Sequence, residues 1–186
     1  MIPKRMFFTK GVGKHKNKLQ SFELALRQAG VAHCNLVSVS SIFPPDCKII
    51  PRKIGEKELS PGEITFVVLA RESTDEPNRL VSAGIGLAIP KGTPKERRNY
   101  GYLSENHAFG ITANKAGDLC EDMAATMLAT TLGLEFDPDK AWNERKQLYK
   151  LDKENSIETR SMIQSAEGDK DGLWTTVVAM AVLLMD

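Results

Sequence analysis

Two adjacent hydroxyls, Ser40 and Ser41, are the residues of this chain whose placement most invites chemistry. They end the apolar run Asn35-Leu36-Val37-Ser38-Val39 and are followed by Ile42-Phe43 and by Pro44-Pro45, a double proline that stops strand pairing. A serine hydroxyl is a nucleophile once it is activated and set against an electrophile. By residue type alone, the same pair is a strand terminus. Other candidate chemistries are weaker. Gly84-Ile85-Gly86 has Ile89 where a dinucleotide turn needs its third glycine, and no strand-turn-helix order surrounds it. Lys10, Lys14, His15, Lys16 and Lys18 cluster around Gly11 and Gly13 without the Walker spacing, and read as a solvated charge cluster. His15, His33 and His107 are too scattered for a metal set, and His33 and Cys34 would point to opposite faces of a strand, so no metal is expected.

The elements that must position the serines follow from hydrophobic periodicity. Met6-Phe7-Phe8 reads as a short strand closed by Gly11-Val12-Gly13. Leu19, Phe22, Leu26 and Ala29 then recur at helical spacing, with Asn17 and Gln20 as a capping pair and Gly30 as the stop. A second helix is expected from Ala116 to Leu132, with Ala116, Leu119, Met123, Met127 and Thr130 on its buried face, Asp118, Glu121 and Asp122 towards its polar side, and Gly133 as C-cap. Strands are expected over Asn35 to Ile42, Ile64 to Ala70, Leu80 to Ala88, Tyr100 to Gly110, Ser156 to Gln164 and Thr175 to Met185. Pro51 to Pro61 and Pro90 to Asn99 read as loops. Runs such as Phe66-Val67-Val68-Leu69-Ala70 look covered on both faces, which with two helices predicts layered sheets flanked by helices.

Composition narrows the class. The 186 residues, 41% hydrophobic and 26% charged, suit one globular domain, 1–186. The 25 basic and 24 acidic side chains nearly cancel, which removes any global attraction to nucleic acid or an anionic membrane. Cys34, Cys47 and Cys120 are odd in number and irregular in spacing, as suits a reducing cytoplasm. The apolar run from Trp174 to Met185 is too short to span a bilayer, so a soluble, cytoplasmic protein is expected.

As a whole, the segment from Asn35 to Pro45 resembles the self-cleavage site of the pyruvoyl-dependent arginine decarboxylases. So do Ser21-Phe22-Glu23-Leu24-Ala25-Leu26, Gly101-Tyr102-Leu103-Ser104-Glu105-Asn106-His107 and Gly172-Leu173-Trp174-Thr175-Thr176-Val177-Val178, in the same order and at matching intervals along nearly the whole chain. The resemblance implies an α+β fold, a helix-sheet-sheet-helix sandwich, assembled as trimers or dimers of trimers with active sites between neighbouring subunits. It also implies cleavage between Ser40 and Ser41 into chains 1–40 and 41–186.

The chemistry explains the residue types. The Ser41 hydroxyl can attack the Ser40 carbonyl, turning the amide into an ester through an oxyanion that needs a donor, and Asn35 matches the family's donor position. Elimination and hydrolysis leave a pyruvoyl group at residue 41, the implied cofactor, whose ketone can take up a substrate amine and accept electrons as carbon dioxide leaves. Glu105 occupies the matching position for the acid that reprotonates Cα, a role that a desolvated, protonated carboxyl can fill. Glu23 matches the guanidinium anchor, where the family more often carries aspartate, and a carboxylate there can accept two parallel hydrogen bonds from a guanidinium. Without the resemblance, Glu105 is an exposed loop charge and Glu23 a helix-surface charge. The implied reaction is decarboxylation of L-arginine to agmatine. The alternatives are a pyruvoyl enzyme for another amino acid, and an uncleaved, non-catalytic oligomeric binding protein of the same fold.

Overall fold

The computed structural model describes residues 1–91, 100–137, 149–150 and 156–185. Ten strands and three helices are described: β1 (Arg5–His15), α1 (Lys18–Gln28), β2 (Asn35–Ser38), β3 (Ile42–Phe43), β4 (Lys48–Ile49), α2 (Arg52–Gly55), β5 (Ile64–Thr74), β6 (Leu80–Lys91), β7 (Gly101–Phe109), α3 (Ala113–Thr131), β8 (Tyr149–Lys150), β9 (Ser156–Glu167) and β10 (Trp174–Leu184). The strands form two five-stranded sheets, in the orders β2-β5-β10-β1-β4 and β3-β7-β6-β9-β8. Helix α1 lies on β1 and β10, α3 lies on β6, β7 and β9, and the two sheets face each other. This is the helix-sheet-sheet-helix sandwich that the resemblance implied.

Alternation along β10 shows why the layers hold. Val177, Ala179, Ala181 and Leu183 enter the core between the sheets, whereas Val178, Met180, Val182 and Leu184 pack under α1. The strand is central in its sheet, paired antiparallel with β1 on one side and β5 on the other, so both faces are dry. Each large aliphatic side chain buried this way contributes about 1.5–3 kcal/mol. On the second sheet, Ala88, Ala124, Ala125, Leu128, Ala129 and Ile157 seal α3.

Several expectations are corrected. β1 does not stop at Gly11-Val12-Gly13 but runs through it to His15. A Cβ at Gly11 or Gly13 would collide with the carbonyl oxygens of Ala25 or Ser21, so these glycines let α1 lie against the sheet. Gly86 does the same under α3, where a Cβ would strike the Cys120 carbonyl. In α1, Asn17 caps the helix by accepting from the backbone N–H groups of Leu19 at 2.9 Å and Gln20 at 3.2 Å, and Gly30 ends it at φ +79°. Leu19, expected inside, is 73% exposed, and Ser21 and Ala25 are buried instead.

The buried face of α3 is Ala116, Gly117, Cys120, Ala124, Ala125, Leu128 and Ala129, rotated from the expected one, and Leu119 and Met123 face outwards. The Ser104 hydroxyl donates to the Cys120 carbonyl at 2.6 Å, a distance that only small residues at the contact permit. Glu121, expected on the polar side, accepts from the Thr159 and Ser161 hydroxyls at 2.6 and 2.7 Å. The expected loop from Pro51 to Pro61 contains α2 and a 3₁₀ turn, Glu56–Glu58. The expected loop from Pro90 lies mostly outside the described residues, and its first two residues extend β6.

Candidate active site

The segment from Asn35 to Ile42, expected as one strand, is two. β2 pairs in parallel with β5 in the first sheet, and β3 pairs antiparallel with β7 in the second. Val39, Ser40 and Ser41 are therefore the crossover between two sheet edges. Three backbone hydrogen bonds hold it. The Val39 N–H donates to the Val67 carbonyl at 2.9 Å, the Leu103 N–H donates to the Ser41 carbonyl at 2.7 Å, and the Ile42 N–H donates to the Ser40 carbonyl at 3.0 Å. The last closes a three-residue γ-turn centred on Ser41. Ser41 is half-buried and Ser40 exposed.

The crossover leaves open edges on both sheets. Pairing with β2 covers β5 only as far as Val67, and pairing with β3 covers β7 only at Gly101 and Tyr102. Leu69 and Arg71 of β5, Glu105 and His107 of β7, and Phe22 and Leu26 of α1 consequently surround a cavity of about 580 Å³, with Asn35 and Ser38 also on its wall. Glu105 and His107 alternate along β7 onto the same face. Solvent reaches Glu105, yet the cavity wall strips enough water from its carboxyl to raise the pKa, and the charge of His107 opposes that rise.

Of the predicted site residues, only Asn35 and Glu105 share this cavity. Asn35 lies at the start of β2 and its side-chain amide donates to the Gly62 carbonyl at 2.9 Å, while the donor on the Ser40 carbonyl is the Ile42 N–H. Four residues separate Asn35 from Ser40, a path of at most about 16 Å if fully extended. Ser40 lines a second cavity of about 500 Å³ with Met1, Ile2, Phe66 and Leu183. Glu23 lines a third, about 400 Å³, with Arg27, Gly30 and His33, and its carboxylate accepts from Arg27 at 2.5 Å one turn on. Glu23 follows Phe22 on α1, and the step of about 100° between consecutive helical residues carries it out of the Glu105 cavity.

Arg71, Phe22 and His107 were not singled out by sequence as site residues. Ending β5 at Ala70 hid Arg71, whose guanidinium lies 4.4 Å from the centroid of the Phe22 ring. His107 could have been found by counting two residues on from Glu105. The fit of a pyruvoyl group to this crossover is chemical: the Ser40-Ser41 pair sits in a turn in which the Ser40 carbonyl already accepts a backbone donor.

The family model for pyruvoyl-dependent arginine decarboxylase matches residues 5–186. A protein of Chloroherpeton thalassium named probable pyruvoyl-dependent arginine decarboxylase is 56% identical over 183 residues, 98% of each chain. Pyruvoyl-dependent arginine decarboxylase 2 of Methanosarcina mazei is 54% identical over 184 residues, covering 99% of this chain and 98% of its own. The corresponding protein of Methanococcoides burtonii is 51% identical over the full length of both chains. A match of this extent, over nearly the whole chain, places the protein in the pyruvoyl-dependent arginine decarboxylase family.

Proposed function

We propose that the chain cleaves itself between Ser40 and Ser41 and then decarboxylates L-arginine to agmatine and carbon dioxide. The observation that carries this is the crossover turn, in which the Ser40 carbonyl accepts the Ile42 N–H and the Ser41 carbonyl accepts the Leu103 N–H. The Ser41 hydroxyl adds to the Ser40 carbonyl, and the oxyanion that develops is met by the Ile42 N–H, a backbone donor already in place. The C–N bond breaks as the Ser41 nitrogen takes a proton, leaving an ester. Loss of the Ser41 Cα proton expels residues 1–40 with a new carboxylate at Ser40, and water releases ammonia from the remaining unsaturated residue to leave the ketone. The pyruvoyl group supplies the electron sink for loss of carbon dioxide. Glu105, whose protonated form desolvation favours, delivers the proton that replaces it at Cα.

The split of Ser40, Glu105 and Glu23 among three cavities supports an assembly in which neighbouring subunits complete each other's sites, with trimers as the expected unit. In such an assembly, Asn35 reaches the scissile carbonyl of a neighbouring chain as its second donor, and Glu23 anchors the guanidinium after exchanging Arg27 for the substrate. The cytoplasm is the proposed location, in keeping with three free cysteines.

The test is an intact mass spectrum of purified, denatured protein with and without a ketone-reactive hydrazine, followed by carbon dioxide release from arginine, lysine, ornithine and aspartate. Two chains, the larger hydrazine-reactive at residue 41, with preference for arginine, are expected. A single unreactive chain would overturn the cleavage, and a cleaved enzyme indifferent to arginine would overturn the substrate.

A further inference from the structure

We propose that Arg71 reads the α-carboxylate of the substrate and thereby sets which end of the molecule enters the Glu105 cavity. The inference rests on the decarboxylation reading above. Arg71 projects from β5 beyond the reach of β2, and its guanidinium lies 4.4 Å from the centroid of the Phe22 ring. A ring at that distance attracts the cation and restrains its plane, leaving the N–H donors at the edge for a ligand. Among the described residues, neither a carboxylate nor a carbonyl engages those donors, in contrast to Arg27, Arg52 and Arg160, each of which pairs with a glutamate. An arginine fork aimed into a cavity without a partner of its own is a ready site for a planar anion.

The position of Glu105 decides which anion. For Glu105 to hand its proton to Cα, that carbon must lie in the cavity that Glu105 shares with Arg71, Ser38 and His107, and the carboxylate bonded to Cα must lie there too. Arg71 attracts that carboxylate and repels the substrate's own guanidinium, which is driven towards the other end of the site. The contact is made to the group that departs as carbon dioxide, so it is strongest before the bond breaks. It therefore supports binding and orientation, and its loss falls on KM more than on kcat.

The decisive comparison is between L-arginine and agmatine, which differ by that carboxylate. In cleaved Arg71→Gln enzyme, the KM for L-arginine should rise about ten- to a hundredfold, the range for loss of a charge-assisted hydrogen-bonded pair, while the inhibition constant of agmatine stays within about twofold or tightens. Arg71→Lys keeps the charge without the fork and should give a smaller rise with the same indifference to agmatine. If the glutamine variant does not accumulate as cleaved protein, the lysine variant carries the comparison alone. An unchanged KM, or equal weakening of arginine and agmatine, would overturn the assignment, the latter by making Arg71 structural. A cleaved wild-type enzyme that releases no carbon dioxide from arginine would instead refute the reading on which the assignment rests.

Discussion

The cavity that Ser40 lines and the cavity that Glu105 lines are built from different chemistries. In the Ser40 cavity the wall is Met1, Ile2, Pro3, Phe66, Leu183 and Met185, side chains that can exclude water but cannot move a proton. In the Glu105 cavity Asn35, Ser38, Arg71, Glu105 and His107 supply hydrogen-bond donors, charge and a titrating carboxyl. On the proposed reading, cleavage draws on backbone donors fixed by the sheets together with Asn35, whereas turnover draws on Glu105 and the other side chains that the sheet edges leave exposed, and substitution should separate the two processes.

Ser41→Ala should have the largest effect, abolishing both processes: mass spectrometry should find one chain, and a keto group in that variant would refute Ser41 as precursor. Glu105→Gln should sharpen the contrast, since the chain should still cleave while turnover falls about 10²–10⁴-fold, the usual contribution of a positioned acid. Normal turnover would remove Glu105 as the proton donor. Asn35→Ala should slow cleavage by about 10²–10³-fold, as for loss of one oxyanion donor, with the fold intact by circular dichroism. Co-expression with Ser41→Ala, which provides an intact Asn35 to its neighbours, should restore cleavage of the Asn35→Ala chain, and failure to do so would place the Asn35 effect within one subunit. Glu23→Ala should raise the KM for arginine about ten- to a hundredfold, and an unchanged KM would contradict the anchor.

The smallest expected effect is on pH dependence. As the proposed proton donor, Glu105 must act in its protonated form, and burial raises its pKa, so kcat of the cleaved enzyme should fall as pH rises through that raised value. The charge of His107 opposes the rise. His107→Gln should therefore move the falling limb to higher pH, and a limb that stays in place would disconnect the two residues.

The same division runs through the legibility of the fold. Helix α1 could be located from its apolar spacing, its Asn17 cap and its Gly30 stop, because each acts within a few residues of chain. Helix α3 could be located too, but its buried face was misread. Periodicity weighs side-chain size, and this helix approaches its sheet through Ala, Gly and Cys while presenting Leu119 and Met123 outwards. Gly86 and Gly84, discarded as a nucleotide turn, belong to that contact, where Cys120 packs close over both. β10 was legible because a central strand needs apolar residues on both faces.

By itself the sequence pointed to Ser40-Ser41 as the proposed reacting pair and, through the resemblance, to Glu105 as the proposed proton donor, and it located the longer strands and the two long helices in order, since these readings depend on covalent neighbours and short-range periodicity. Only the tertiary structure decided that Ser40 and Ser41 bridge two different sheets, that Asn35 and Glu105 line one cavity while Glu23 lines another, and that Arg71 and His107 join the first. Those placements follow from where β2 and β3 stop pairing with their neighbours, a long-range hydrogen-bonding outcome to which residues far apart in the chain contribute together.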